Sequence, residues 1–437
     1  MKRVLWICNI MLPVIAKQLS LPYSNREGWL MGNFNQLQKE KDKKIELGIC
    51  FPMQEWSEQL SVKDVSPLMV QGVPCYAFLE DLTHPEIYDA SMEQRFAEIM
   101  TDFKPDIIHI FGTEFPHALA AEKAFNRPEK TLVGIQGLCS EIAKVYQADI
   151  PDEVFQSVTF RDFLRKDSLK QQQEKFYKRG EREKEIIRRA GHITGRTRFD
   201  KENTHKIHQE AIYHPMNETM RSSFYEGCWE EEECEKYSIF LAQGDYPLKG
   251  FHFLLQALPV LLVKYPKTKI YVSGNSIINQ SNLKEKLKLS AYGKYLIRLI
   301  KRFDMEEAVV VLGRLTEEEM KQQFLKSSVF VCASVLENSP NTIGEAMLLG
   351  VPVVASCVGG IPDMITDGKD GLLFPSGDVR ALVNAIEAIW ENKADENGIS
   401  LTERLSKAAR EKAHAVHDGT ANYNRLLEIY EDIGAYQ

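Results

Sequence analysis

What this chain is short of narrows its chemistry first. Its eight cysteines (Cys8, Cys50, Cys75, Cys139, Cys228, Cys234, Cys332 and Cys357) are scattered, and none forms a C-x-x-C pair. That spacing argues against a disulfide framework or a zinc site and for buried thiols in a reducing compartment. No two aspartates stand two residues apart, so a D-x-D metal clamp is missing. There is no H-E-x-x-H, and no G-x-G-x-x-G follows a strand, which weakens a catalytic-metal or dinucleotide reading. No segment reaches the ~18–20 apolar residues of a spanning helix. A formal net charge of −8 argues against nucleic acid as the partner of the whole chain. Internal repeats and low-complexity segments are absent as well.

The N-terminus poses a choice. Lys2 and Arg3 before VLWICNIMLPVIA have the charge pattern of a signal peptide. Asn9 and Pro13 interrupt the run, and Lys17 and Gln18 stand where small residues would precede a cleavage site. A buried first strand, Val4 to Cys8, is the expectation. The protein is then expected in the cytoplasm, or peripheral on the cytoplasmic membrane face.

What is present reads as alternating strands and helices. A length of 437 residues exceeds what one core supports, so two domains are expected. In the second half, SIFLAQG (238–244), KIYVSG, VVVLG (309–313), VFVCAS, VPVVAS and GLLF read as buried strands. Between them run helical stripes, among them Phe251 to Leu262 and Val379 to Trp390, a basic amphipathic stretch at 283–303, and a helix with Thr316 and Glu319 as its capping box. In the first half VLWIC, IELGICF, PCYAFL, DIIHIFG and TLVGIQG read as strands, with helices near 29–40, 92–103 and 116–125. Such alternation means βαβ units and parallel sheets. The acidic stretch EGCWEEEECEKY (226–237) resembles a linker. The expected domains are therefore 1–229, including a charged helical tract at 152–192, and 230–415, with 416–437 a helix packing back on the first. In doubly wound sheets ligands bind beyond the strands' carboxyl ends, so the loops after strands are where chemistry is sought.

One stretch, 334–378, carries the strongest pattern: SVLENSPNTIGEAMLLGVPVVASCVGGIPDMITDGKDGLLFPSGD. Ser339 can cap and Pro340 can open the following helix. Its first-turn N–H groups, near Asn341 to Ile343, then suit a diphosphate. Glu345, one to two turns in, can reach a ribose diol, and Glu337, before the helix, the hydroxyls of a sugar beyond the phosphates. The plain alternative makes Glu345 a solvated helix residue and Glu337 a loop charge.

Glu337, seven residues, Glu345, Ala346, Met347, then GVPVVAS and D-G-x-x-G-L-L-x-P, resembles the motif of the retaining group-1 glycosyltransferases. Those enzymes have the GT-B fold, an α/β architecture of two Rossmann-like doubly wound domains facing a cleft. The close resemblance covers about 238–435; the N-terminal half is similar in layout. It implies that Glu345 holds the ribose, Glu337 the transferred sugar, and the backbone of Pro340, Asn341, Thr342 and Ile343 the phosphates. In that family a G-R-L…K-G stretch supplies an Arg and a Lys to the diphosphate. Here QGDYPLKG matches at Gly244, Lys249 and Gly250, while the Arg position reads Asp245. Arg314 and Leu315, after Gly313, fall where the family's backbone touches the nucleobase. Gly28 matches the first domain's glycine turn, and Gln136 lies near a usual His; His109 could line the cleft or be a buried core histidine.

The resemblance implies transfer of a sugar from a nucleoside-diphosphate sugar to a saccharide or lipid-linked saccharide acceptor. Configuration is retained, the leaving phosphate takes the acceptor's proton, and neither a metal nor another cofactor is required. A UDP-sugar is expected ahead of a GDP-sugar. Rival readings are a sugar-nucleotide epimerase or phosphorylase on the same fold, and an inactive binding subunit. The tract 161–190 holds eleven basic against six acidic residues. That excess suits docking on an anionic membrane surface, or simply a solvated helix.

Overall fold

The structure is a computed structural model that describes all residues except 22–27, 41–43, 57–59, 61–64, 281 and 436–437. It divides into two compact units. The first comprises Met1–Ala143, Lys175–Arg221 and His417–Gln437; the second comprises Lys144–Glu174 and Ser222–Val416. These are not the contiguous blocks expected at 1–229 and 230–415. Residues 144–174 group with the second unit, and the division near the linker falls at 221/222.

The first unit holds, among the described residues, an eight-stranded sheet. Its strands are β1 (Lys2–Ile7), β2 (Ile45–Met53), β3 (Leu68–Val70), β4 (Val73–Leu79), β5 (Ile107–Phe111), β6 (Thr131–Gly134), β7 (His192–Gly195) and β8 (Ile212–Pro215). The order is β3-β4-β2-β1-β5-β6-β7-β8, parallel except for β3, which pairs antiparallel with β4. Val4, Trp6 and Cys8 join the core on one face, with Phe34, Phe51 and Tyr430, while Leu5 and Ile7 join the other, with Phe78 and Phe96. This period of two, apolar on both faces, is what a sheet covered by helices on both sides requires. The helix Gly419–Ala435 belongs to this unit, where Tyr430 is buried and its hydroxyl takes the Trp6 indole N–H at 2.8 Å.

The second unit holds a parallel sheet of β9 (Glu235–Leu241), β10 (Lys269–Ser273), β11 (Val309–Gly313), β12 (Ser327–Cys332), β13 (Val353–Ser356) and β14 (Leu372–Phe374). Its order is β11-β10-β9-β12-β13-β14. The strand order reverses between β9 and β12, and such a switch point opens a crevice at the strands' carboxyl ends. The expected capping box is present: Thr316 Oγ1 accepts the Glu319 N–H at 3.3 Å and Glu319 Oε2 accepts the Thr316 N–H at 2.8 Å. The basic stretch at 283–303 is two helices, Leu283–Leu287 and Ala291–Arg302, because Ser290 caps the second.

Candidate donor site

The two loops that leave the switch strands lock together through backbone. The loop after β9 ends in a 3₁₀ turn, Pro247–Lys249, and Gly250 with φ of +69°. A Cβ at Gly250 would stand 1.8 Å from the Ala333 carbonyl oxygen, so only glycine lets this turn approach β12's exit. Val335 N–H donates to the Leu248 carbonyl at 2.8 Å. On the far side Gly359, φ +53°, would place a Cβ 1.9 Å from the Glu337 carbonyl oxygen, which accepts the Gly360 N–H at 3.0 Å. The Gly359–Gly360 pair thus clamps the backbone of Glu337.

That framework brings together two side chains 88 residues apart. Lys249 Nζ lies 2.5 Å from Glu337 Oε1, and the Ser334 hydroxyl donates to the same oxygen at 2.7 Å. The Tyr246 ring lies beneath the ammonium at 5.6 Å. Burial alone would lower the Lys249 pKa. The Glu337 carboxylate and Tyr246 outweigh it and hold the group above the ordinary lysine range, so the ammonium stays charged. Burial, and then the Glu337 charge, push the nearby Cys332 thiol up to about 11, which keeps it protonated. Ser334 and Tyr246 were not singled out from the sequence; only their position after a strand marks them.

Glu337 is followed by Ser339 and Pro340, but Ser339 does not cap the helix. The helix is Asn341–Leu349, its N-cap is Pro340, and no side chain caps it. Ile343 N–H donates to the Pro340 carbonyl at 3.0 Å, and proline has no N–H. Of the expected stretch Pro340–Ile343, Pro340 thus has no N–H to offer and the Ile343 N–H is engaged, while Asn341 and Thr342 are half-buried. Glu345 is 3% exposed, so it is not a solvated helix residue. Gly350 ends the helix at φ +81°.

Gly244 is needed for close packing, since a Cβ there would stand 2.4 Å from Val272 Cγ2. Asp245, in the position of the expected Arg, accepts from Asn275 Nδ2 at 2.6 Å and from its backbone N–H at 3.3 Å. Asn275 Oδ1 in turn accepts from Arg314 Nε at 2.9 Å. A guanidinium thus reaches this corner from the end of β11, as a side chain and not only as backbone; Leu315 beside it is half-buried. A cavity of about 640 Å³ takes in Asp245, Tyr246, Asn275 and Arg314. Asn275 is a further residue that sequence reasoning missed, an asparagine in an unremarkable SGNS stretch.

The first unit's candidates stand elsewhere in character. His109 is fully buried in β5, where its Nδ1 lies 2.7 Å from the Tyr430 hydroxyl and burial lowers its pKa to about 3. It is a neutral core residue. Gln136 is tied to Glu218 at 3.1 Å, and Glu218 pairs with Arg196 at 3.1 Å. Gly28 opens the helix Gly28–Lys39; the loop before it, 22–27, lies outside the described residues. Among the described residues no group of three His, Cys, Asp or Glu side chains could hold a metal ion.

The sequence match falls on this site. Residues 235–392 match the family described as glycosyl transferases group 1. They are a group 1 glycosyl transferase domain. The amylovoran biosynthesis glycosyltransferase AmsK of Erwinia amylovora is 31% identical to the chain over 134 residues, 29% of this chain and 31% of that protein. The chain therefore aligns with about a third of AmsK's length. By structure the chain is similar to sucrose-phosphate synthase from Thermosynechococcus elongatus, with a TM-score of 0.65, 15% identity and full coverage of both chains. It is equally similar to Anabaena HepE in complex with UDP and glucose, at a TM-score of 0.65, 15% identity, and 99% and 100% coverage. At that identity the likeness is one of fold, and the fold is GT-B. The transferase domain contains β9–β14 and every residue of the Lys249–Glu337 framework.

Proposed function

We propose that this chain transfers a sugar from a nucleoside-diphosphate sugar to a saccharide or lipid-linked saccharide acceptor, with retention of configuration and without a metal ion. The observation that carries the reading is the Lys249–Glu337 pair at the switch point of the transferase domain. Lys249 is held in its charged form beside Glu337, and a charged group is what the stabilisation of a leaving diphosphate requires. The first turn of the helix Asn341–Leu349 adds the positive end of its dipole. The Lys249 and Ser334 hydrogen bonds to the Glu337 carboxylate both fall on Oε1. The second carboxylate oxygen is then the one for the donor sugar's hydroxyls, and Glu345 is assigned to the ribose. Departure of the diphosphate leaves an oxocarbenium-like centre, and the leaving phosphate takes the acceptor's proton. Because HepE has been crystallised with UDP-glucose, a UDP-sugar is the first donor to test.

Turnover of UDP-glucose should persist in EDTA and fall sharply in Lys249→Ala. Loss of activity on chelation, restored by Mg²⁺ or Mn²⁺, would overturn the metal-free assignment.

A further inference from the structure

The short helix Phe160–Arg165 is built inside out. Thr159 and Asp162 form its capping box and are 7% and 1% exposed. Asp162 Oδ2 also accepts the Ala291 N–H at 3.0 Å, at the start of the helix Ala291–Arg302, which straps this segment to the second unit. Its apolar side chains point the other way. Val158, Phe160, Phe163 and Leu164 are 58%, 60%, 72% and 63% exposed. A polar face turned inward and an apolar face turned outward is the reverse of what water selects, and a patch of this kind marks an interaction surface.

The charges around it choose the partner. Asp162 is buried, and Asp167 is held by Arg161 at 3.0 Å. Both acids of the segment are thereby consumed internally, while Arg165, Lys166 and Lys170 stand exposed. Within Val158–Lys170 the exposed side chains are thus apolar or basic, with the exposed acids Glu153 and Glu174 outside the segment. Exposed aromatic and aliphatic side chains accompanied by basic ones fit an anionic lipid surface. Two of the basic residues further along the tract do not contribute. Arg179 donates to the Glu114 carbonyl at 3.0 Å and stacks on Phe176, and Arg182 is 8% exposed and bonded to the Pro85 carbonyl. They are structural.

We propose that Val158–Lys170 is a bilayer-docking element of this chain. Phe160 and Leu164 also line the cavity that holds Asp245 and Arg314. Docking therefore brings that cavity to the lipid surface, where a lipid-linked acceptor would be met. The acceptor part rests on the proposed transfer; the docking itself does not.

The test is co-sedimentation of the full chain with vesicles of phosphatidylcholine and phosphatidylglycerol in equal parts, against phosphatidylcholine alone. Binding should require the anionic lipid and weaken with salt. Val158→Ser with Phe163→Ser should reduce it about tenfold, as should Lys166→Glu with Lys170→Glu. Hydrolysis of UDP-glucose in the absence of vesicles should stay unchanged in both variants, as should the melting temperature, since none of the four residues is buried. No binding by the unaltered chain, or binding indifferent to both variants, would overturn the proposal. So would a concentration-dependent dimer in sedimentation velocity that the apolar variant abolishes, because the occupant would then be a second copy. Vesicle binding without any turnover of nucleotide-sugars would refute the transfer reading while leaving the docking element standing.

Discussion

At the scale of single residues, Glu337 and Glu345 of the transferase domain occupy different environments and should fail differently. Glu345 is buried within a helix, whereas Glu337 sits at its mouth, paired with Lys249. Glu345→Ala removes a proposed contact to the ribose, a part of the donor remote from the reacting carbon. It should weaken binding of free UDP by about 1.5–3 kcal/mol. Glu337→Ala removes a proposed contact that strengthens in the transition state, so it should lower kcat. Because Glu337 competes with any diphosphate for the Lys249 ammonium, its loss should leave UDP affinity unchanged or higher. Calorimetric titration of both variants with UDP, alongside donor kinetics, checks this. Reversed effects would exchange the two roles.

At the scale of elements, β7 and β8 meet through a buried histidine pair, His192 Nδ1 lying 2.9 Å from His214 Nε2. Burial, and secondarily His192, lower the His214 pKa to about 4. The sign of the linkage follows. Between pH 6.5 and 4 the unfolded chain binds this proton and the folded chain does not, so stability is full above about 6.5 and drains away as pH falls. A single histidine contributes at most about 1.4 kcal/mol per pH unit to the slope. His417 and His252, also lowered to about 4 by burial, steepen it. Urea midpoints measured between pH 7 and 4.5 should fall, and His214→Asn should fall less steeply than the unaltered chain. A flat profile would show that these histidines titrate normally.

At the scale of the whole molecule, the chain passes between its units at 143/144, 174/175, 221/222 and 416/417. Its last segment returns to the first. Tyr423, Leu426, Leu427, Ile429, Tyr430 and Ile433 are all buried in the core that contains Trp6 and Phe51. Truncation after Val416 opens that core and leaves the Trp6 indole without its hydroxyl partner. We expect the calorimetric transition of the first unit to be lost, although the truncation lies outside the transferase domain. The milder Tyr430→Phe should cost about 1–3 kcal/mol, as a buried indole donor is left unsatisfied. Two unshifted transitions after truncation would contradict the assignment of the helix Gly419–Ala435 to the first core.

The sequence by itself determined the features that depend on near neighbours along the chain. The alternation of apolar runs and helical stripes specified the strands of the transferase domain. The ordered string from Glu337 through Glu345 to GVPVVAS placed the candidate site. Lys249 and Gly250 stood out for the same reason. Tertiary structure decided whatever depends on partners distant in sequence. β3, β7 and β8 are only three or four residues long, and β8 ends in proline, so their own pattern is too weak to specify a strand and the neighbouring strands supply the pairing. Ser339 lost its capping role because Pro340 itself became the N-cap. The pairing of Lys249 with Glu337, the relay from Asp245 through Asn275 to Arg314, and the union of residues 144–174 with the second unit all rest on burial and contact across long separations. So does the outward apolar face of Phe160–Arg165, because periodicity identifies an amphipathic face but only packing decides which way it turns.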